Sequence, residues 1–596
     1  MSDEKPPSQA EILVELAQEA YTFHQEPDGS PFALPVNGPK IARPLRGGRT
    51  SLRAELAAAY VEDYGKPPSS NSLGDALTAL EGFAMRSEPT QTHLRVAKVG
   101  DRVTIDLGTG RFVHASPLGW MVSDTSGPVV FRRTELSGML PEPATVEWSR
   151  DGAALAPLWQ SLNVSPDHRL PTLAWLVAAM IPDIPHPVLS LWGEQGTGKT
   201  TAAKRLVSLI DPSPVPVRTA PRDVEQWIVA ASGSHVVFLD NLSGIPEWLS
   251  DALCRASTGD GLVRRRLYSD GGLAVSSFRR VVGLTAIDPG ALRGDLADRL
   301  LAVELERIPD TARKLDAAMA AQWEADLPEI FGALLSTLCE VLTMLPKVHL
   351  DALPRMADFA LILAAVDEVF ATKGKGMRIY LDQRTHLAHD VIESDPVAAM
   401  LRKWVNGPNW KPTEADGSWK GSAGDLRALL MGEAPPKGWP ATARSMSARL
   451  KKVAPALRQL GVVVEQGQRT ESMRPWVIYR ADVQGKAHQP SGPSERHATG
   501  DDQPKQDDGR HDDRMTVESD RHGTVSQPSL LETRSDQGGS VSADGADGHD
   551  GSARPALNAS PAPRREADPN SCVECGHLLD PTLVKAGKTT HPGCRY

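Results

Sequence analysis

The run from Pro187 to Ile210 constrains this chain most. It reads Pro-Val-Leu-Ser-Leu-Trp, then Gly193-Glu194-Gln195-Gly196-Thr197-Gly198-Lys199-Thr200, then Thr201-Ala-Ala-Lys-Arg-Leu-Val-Ser-Leu-Ile. The order predicts a buried strand, a glycine-rich turn and an amphipathic helix. The central eight residues fit the phosphate-loop pattern G-x-x-x-x-G-K-[ST] at every fixed position. Glycines let successive backbone N–H groups turn inward toward phosphate oxygens. The helix that follows adds the positive end of its dipole. Lys199 is then the side chain for the β- and γ-phosphates, and the Thr200 hydroxyl is a Mg²⁺ ligand. Residues Gly193 to Thr201 are therefore the expected ATP-binding segment.

Composition narrows the setting. A chain of 596 residues accommodates several domains. Its net charge of −10 excludes a global basic field, so any nucleic-acid contact is local. Two of its five cysteines, Cys254 and Cys339, stand alone in helical contexts and read as buried small hydrophobes; the other three cluster near the end. The N-terminus, Met-Ser-Asp-Glu-Lys-Pro-Pro, has no basic-then-apolar signal pattern. No apolar run approaches the ~20 residues that cross a bilayer. The expectation is a cytoplasmic protein without a membrane partner.

Residues 1–165 read as an α+β domain of unreadable role. Helices are expected at Gln9–Glu26, at Ser51–Tyr64 closed by Gly65, and at Leu73–Met85. The period then becomes two, with Leu94 and Val96 facing Val103, Ile105 and Leu107 across a Gly100-Asp101 turn. A primase-type polymerase needs paired carboxylates for two metals. Asp106 stands alone in its strand and Asp63 ends a helix, so both read as surface acids.

From 166 to 308 the spacing is that of an NTPase core. Val236-Val237-Phe238-Leu239-Asp240-Asn241 is a short apolar run ending in an acid, about 40 residues after Lys199, where a parallel strand returns beside the first. Asp240 would hold Mg²⁺. Many such ATPases place a second acid next to it; here Asn241 can position water but cannot take its proton. Asp240 doing both jobs, help from Glu247 or Asp251, and slow hydrolysis all stay open. Thr285 ends the next strand, where it would approach the γ-phosphate or the water. Arg299, with Arg293 as competitor, is the candidate finger into a neighbouring subunit; the alternative for Arg299 is an i,i+4 pair with Asp295.

With those residues placed, the core resembles the poxvirus-type and phage or plasmid primase–helicase ATPases of the superfamily III helicase branch of the AAA+ class. The resemblance rests on the phosphate loop, Leu239-Asp240-Asn241, Thr258-Gly259-Asp260, Arg266-Leu267-Tyr268, the Thr285 strand and Asp298-Arg299-Leu300. Two departures stand out: the usual Asn-x-x-Pro appears as Thr285-Ala286-Ile287-Asp288-Pro289, and the second acid is missing. More closely, residues 90 to 480 look like the ATP-binding proteins of actinobacterial phages and integrated elements. The resemblance implies a homo-oligomeric ring, commonly a hexamer, with ATP between subunits and single-stranded DNA in the channel. Arg264-Arg265-Arg266 is then a candidate channel contact.

Residues 309–394 read as a helical lid, with Arg355 either a second nucleotide sensor or an i,i+3 partner of Asp358. Residues 395–482 give helices followed by a two-strand ribbon, the winged-helix order. Their long helix carries Arg444, Arg449, Lys451, Lys452 and Arg458, with Arg469 and Arg474 on the wing. Duplex or fork DNA is the expected partner; a protein-docking face is the alternative. Residues 483–570 contain no Phe, Trp or Tyr and read as a disordered linker. Residues 571–596 carry C-x-x-C and H-x-x-C knuckles 15 residues apart, so Cys572, Cys575, His591 and Cys594 form a candidate structural Zn²⁺ ribbon, with His577 able to compete for the fourth position. Its partner, nucleic acid or another replication protein, is not legible.

The fold expected is α/β: a P-loop AAA+ core with an N-terminal α+β domain, helical lid, winged helix and zinc ribbon. The function expected is an ATP- and Mg²⁺-dependent, DNA-stimulated ATPase in the replication of a phage or mobile element, a helicase. The alternative is an ATP-gated DNA-binding or loader protein that does not unwind.

Overall fold

A computed structural model describes residues 7–481, apart from 48–49, 260, 266–272, 278, 287–293, 310, 312–314, 432–434, 437 and 470–473. Side chains of 261–265 and 273–277 are not part of the description. The architecture is mixed α/β with five sheets among the described residues. Residues 1–495 form one compact unit and 496–596 a second, which lies outside the described residues.

The centre is a four-stranded parallel sheet. Its strands are β1 (Val188–Trp192), β2 (Val236–Leu242), β3 (Val281–Ala286) and β4 (Leu300–Glu304), in the order β2-β3-β1-β4. All four are near-continuous apolar runs, as a parallel sheet covered on both faces requires. Helix α1 (Arg169–Ala179) and helix α2 (Lys199–Ile210) flank it. Helix α2 buries Ala202, Ala203, Leu206, Val207, Leu209 and Ile210. Helix α3 (Glu247–Thr258) follows β2 and ends at Gly259, whose φ of +88° is left-handed.

The sheet order corrects one expectation. Strand β2 does not return beside β1; β3 lies between them. The connection from β1 through α2, residues 193–235, therefore skips one position, and the strand bearing Thr285 fills it. Glycine at 283 makes this possible. A Cβ there would lie 2.1 Å from the Phe238 ring of β2, so the ring occupies the space a side chain would need.

The first 93 residues give three helices and, with strand Val130–Arg132, a five-stranded sheet. Helix Gln9–Ala20 is shorter than expected: the chain becomes strand Tyr21–Gln25, which pairs antiparallel with Pro31–Pro35, so Phe23 is a strand residue. Helices Leu52–Tyr64, closed by Gly65 at φ +68°, and Ser70–Ala84 match the reading closely. The period-two stretch forms an antiparallel four-stranded meander, Val96–Val99, Arg102–Asp106, Phe112–Ser116 and Gly119–Ser123.

Asp106 is not a surface acid. It is fully buried, accepting from Arg133 Nε at 2.8 Å and Nη2 at 2.7 Å, and capping Gly108 N–H at 2.9 Å. Beside it, buried Arg95 donates to Asp211 Oδ1 at 2.9 Å, while Asp211 Oδ2 accepts from the amides of His235 and Val236. A buried pair satisfied this completely fastens the meander to the central sheet.

Beyond β4 come helices Asp316–Met344, Ala357–Val369 and Lys375–Ser394. Trp120 and Trp148 donate to Ser336 and Thr337 on the first of these, so meander, central sheet and helical segment share one core. By length and composition the helix Asp316–Lys347 would cross a membrane, against the sequence expectation, but 61% of its most apolar window is buried inside the fold. The next segment has helices Pro396–Asn406, Ala423–Met431 and Ala443–Gln459, and a three-stranded sheet ordered Trp419–Gly421, Trp476–Arg480, Val462–Gln466. Pro455 sits inside the long helix without ending it.

Candidate active site

The loop between β1 and α2 bends at three glycines with positive φ: Gly193 (+144°), Gly196 (+83°) and Gly198 (+80°). A Cβ at Gly193 would meet the Leu305 carbonyl at 2.9 Å. Glu194, Gln195 and Gly196 are exposed, whereas Thr197 is buried and donates to Glu194 O at 3.0 Å. Lys199 reaches back over the loop to Gly193 O (2.7 Å) and Glu194 O (2.8 Å), which holds its charge at the loop. Burial pulls its ammonium below the ordinary value; the nearby Asp240 carboxylate opposes that shift. Thr200 and Thr201 are exposed on the first turn of α2.

Asp240 ties the site together. Its carboxylate accepts from the Thr200 hydroxyl at 3.1 and 3.0 Å and from the Thr285 hydroxyl at 2.5 Å. Thr285 in turn accepts the backbone N–H of Asn241 at 2.7 Å. Three chain segments 40 and 45 residues apart thus converge at the carboxyl ends of three parallel strands. This is where open α/β sheets place ligands.

The backbone at Asp240 is irregular for a reason. The β2/β3 register shifts between Leu239 and Leu242, and Asn241 has φ +58°. A bulge of this kind re-aims a side chain, here the acid. Asparagine tolerates left-handed backbone better than glutamate does. The left-handed backbone therefore disfavours glutamate at 241 but admits aspartate as readily as asparagine, so it narrows the choice without explaining the missing acid. On the outer side, Arg218 bridges β2, accepting Asp240 N–H at 2.7 Å, so the acid's backbone is held from both flanks.

A hydroxyl and a carboxylate 3 Å apart are hard oxygen donors, spaced as neighbours around an octahedral Mg²⁺ with bonds of about 2.1 Å. The donor set fits that ion.

Arg299 lies elsewhere. Its carbonyl accepts Val188 N–H at the start of β1, so it sits at the amino edge of the sheet, about 16 Å from the loop at ~3.3 Å per strand residue. Its guanidinium pairs with Asp295, the i,i+4 alternative. Arg355 pairs not with Asp358 but with Asp295 at 2.7 Å and Asp298 at 3.7 Å. Cys254 and Cys339 are buried as expected, the Cys254 thiol pushed up to about 12 by burial. Glu247 is paired with Lys452 of the long C-terminal helix at 3.0 Å.

Sequence reasoning missed Asn163. Its amide donates to Thr197 O at 3.3 Å and to Glu306 O, bracing the loop from outside the motif. No local pattern marks it.

Several expected elements fall on undescribed residues: Asp260, Arg266, Leu267, Tyr268, Ile287, Asp288, Pro289, Arg293 and the zinc ligands Cys572, Cys575, His591 and Cys594, with His577. Arg264 and Arg265 are described as backbone only, in an antiparallel hairpin of Gly261–Arg265 with Leu273–Ser277.

Residues 163–387 match the family described as actinomycete integrative conjugative element replication protein. Residues 397–491 match the C-terminal domain of the same family. Together they span more than half of the chain. The chain belongs to this replication-protein family.

Residues 1–162 of the replication protein lie outside both matches. No curated protein matches it. Among solved structures it is similar to the A-form apo structure of the NrS-1 C-terminal region, at 12% identity and a TM-score of 0.34, over 78% of this chain and 99% of that one. A second apo structure of that region, residues 305–718, aligns at 11% identity and a TM-score of 0.31, over 80% and 100%. A likeness this loose carries no functional weight.

Proposed function

We propose that this replication protein is an ATP-binding, DNA-dependent ATPase that works as a helicase in copying its mobile element. The observation that carries the reading is the Asp240 carboxylate joined to both Thr200 and Thr285 beside a glycine loop bearing Lys199. In this reading the N–H groups of residues 193–200 and the Lys199 ammonium bind the phosphates of ATP. Thr200 and Asp240 hold Mg²⁺, which neutralises phosphate charge. Thr285 fixes the Asp240 carboxylate and orients water.

Arg299 cannot serve its own site from the opposite sheet edge. Its pairing with Asp295 and 13% side-chain exposure favour the structural alternative, so a role in trans requires that pair to open; the proposed ring of identical chains, with sites between subunits and single-stranded DNA in the channel, rests on the family resemblance alone. The segment 395–482 is proposed as a winged helix. Arg444, Lys451 and Arg458 recur every seven residues on its long helix and are exposed, a stripe that suits phosphates. Arg449 and Lys452 are instead paired with Asp395 and Glu247. Cys572, Cys575, His591 and Cys594 are proposed to bind structural Zn²⁺.

The second reading, an ATP-gated switch or loader without unwinding, is favoured by Asn241, which cannot accept a proton. Steady-state ATP hydrolysis with and without single-stranded DNA separates them. DNA stimulation abolished by Lys199→Ala supports the motor. Tight binding with little turnover, whatever DNA is added, sinks it in favour of the switch.

A further inference from the structure

The opposite edge of the central sheet holds a second polar cavity, of about 410 Å³. It is built from the residues just before three core strands, His186, His235 and Arg279–Arg280, closed over by Thr92–His93 and Arg132 of the N-terminal segment. Three arginines line it against two acids, Glu26 and Asp183. It is separated from the Lys199 loop by the length of β1.

Two buried polar atoms in its lining have no partner. His186 is 2% exposed and uses Nε2 on the carbonyls of Ala178 and Ile181, so that nitrogen carries the hydrogen. Its Nδ1 is then a bare acceptor, and it is unpaired. Arg132 Nε is a buried donor without a hydrogen bond, 3.8 Å from Glu26 Oε1, which is already engaged by Thr92 at 2.8 Å. Arg279 spends Nε and Nη2 on Thr258 O, leaving Nη1 outside those bonds. A buried acceptor beside guanidinium donors calls for a ligand with both a hydrogen-bond donor and an anionic group.

We propose that this cavity binds one nucleotide unit, its phosphate on Arg132 and Arg279 and an amine or hydroxyl of its base or sugar on His186 Nδ1. The volume suits a mononucleotide. Gly259, which the phosphate-loop chemistry leaves unexplained, lines the cavity, and a Cβ there would lie 2.9 Å from Arg279 Nε. The hairpin Gly261–Arg265/Leu273–Ser277 springs from its rim. A nucleotide held there is therefore in reach of a strand that meets the hairpin.

The proposal does not rest on ATP binding at the glycine loop: Lys199→Ala weakens that loop, and the amino-edge variants below distinguish any nucleotide it still holds. Full-length Lys199→Ala protein is titrated with dAMP by calorimetry. Saturable binding is expected, weakened at least tenfold (about 1.4 kcal/mol) by adding Arg132→Gln. Should that variant prove unstable by thermal melting, Gln91→Trp, at an exposed lining position, fills the mouth instead and has the same expected effect. No saturable binding up to about 1 mM dAMP, or binding untouched by both variants, overturns the proposal. A 5′-phosphorylated oligothymidylate then identifies the source: displacement of dAMP assigns the site to a DNA strand, and no displacement assigns it to free nucleotide.

Discussion

The two edges of the central sheet are built by opposite strategies. At the carboxyl edge, a contiguous glycine loop supplies most of the site, and single residues at the tips of β2 and β3 complete it. Its groups run from exposed Thr200 to buried Thr285 and are linked to one another: Thr200 to Asp240, Asp240 to Thr285, Thr285 to Asn241. At the amino edge the three proposed ligand groups, Arg132, His186 and Arg279, come from three separate segments. His186 is buried and the arginines are partly so, and His186 Nδ1 and Arg132 Nε are left without a hydrogen bond. The difference teaches that a short motif buys a site that can be read from sequence, whereas a site assembled from strand beginnings exists only once the sheet order is known.

The contrast can be broken most forcefully at Lys199. Lys199→Ala is expected to lower ATP turnover by more than about 10³-fold, since electrostatic positioning is most of phosphoryl-transfer catalysis, while leaving the melting temperature within a degree or two. An unchanged rate in a coupled phosphate-release assay would remove the carboxyl edge as the reaction site. Asp240→Asn keeps the shape and loses the charge; a drop of about 10²-fold in turnover is expected, with a raised Mg²⁺ requirement read from a metal titration. Thr285→Val should cost less, about tenfold, and about 1–3 kcal/mol of stability because the Asn241 amide loses its acceptor.

How legible was each edge? Strand, loop and helix at 187–210 follow from local pattern, because fixed glycines and an amphipathic helix leave few alternatives. Asp240 was legible as the end of an apolar run, and Thr285 likewise. The position of β3 between β1 and β2 was not, since strand order is a long-range property that no window contains. Asp106 misled for the same reason. Its alternation in a period-two stretch reads as solvent-facing, yet Arg133, 27 residues on, draws it inside. Gln9–Glu26 carries helical spacing, but the sheet partner Pro31–Pro35 claims Tyr21–Gln25. Asn163 and the amino-edge histidines carry no pattern at all.

Stability sharpens the comparison from the other side. Arg95→Leu strands Asp211 in the core and is expected to cost about 3–5 kcal/mol, lowering the melting temperature while the ATP KM of the folded fraction stays unchanged. The smallest effect concerns pH. Burial holds His186 down to about 4, and His235 and His93 shift the same way. The unfolded chain therefore binds more protons than the folded one below about pH 6.5, so stability is full above that value and is lost as pH falls toward 4. A melting temperature a few degrees lower at pH 5 than at pH 7.5 is expected by calorimetry. His186→Gln, which keeps a donor for Ala178, should flatten that slope; an unchanged slope would show that His186 is not the group responsible.

Gly283 has one more implication. With the Phe238 ring seated where a side chain would stand, β3 cannot slip against β2 by even one residue, because Val282 or Leu284 would arrive with a Cβ the ring excludes. A misaligned chain would therefore fail in the core before it could assemble a faulty catalytic end. The ring thus favours the alignment that brings the Thr285 hydroxyl to Asp240.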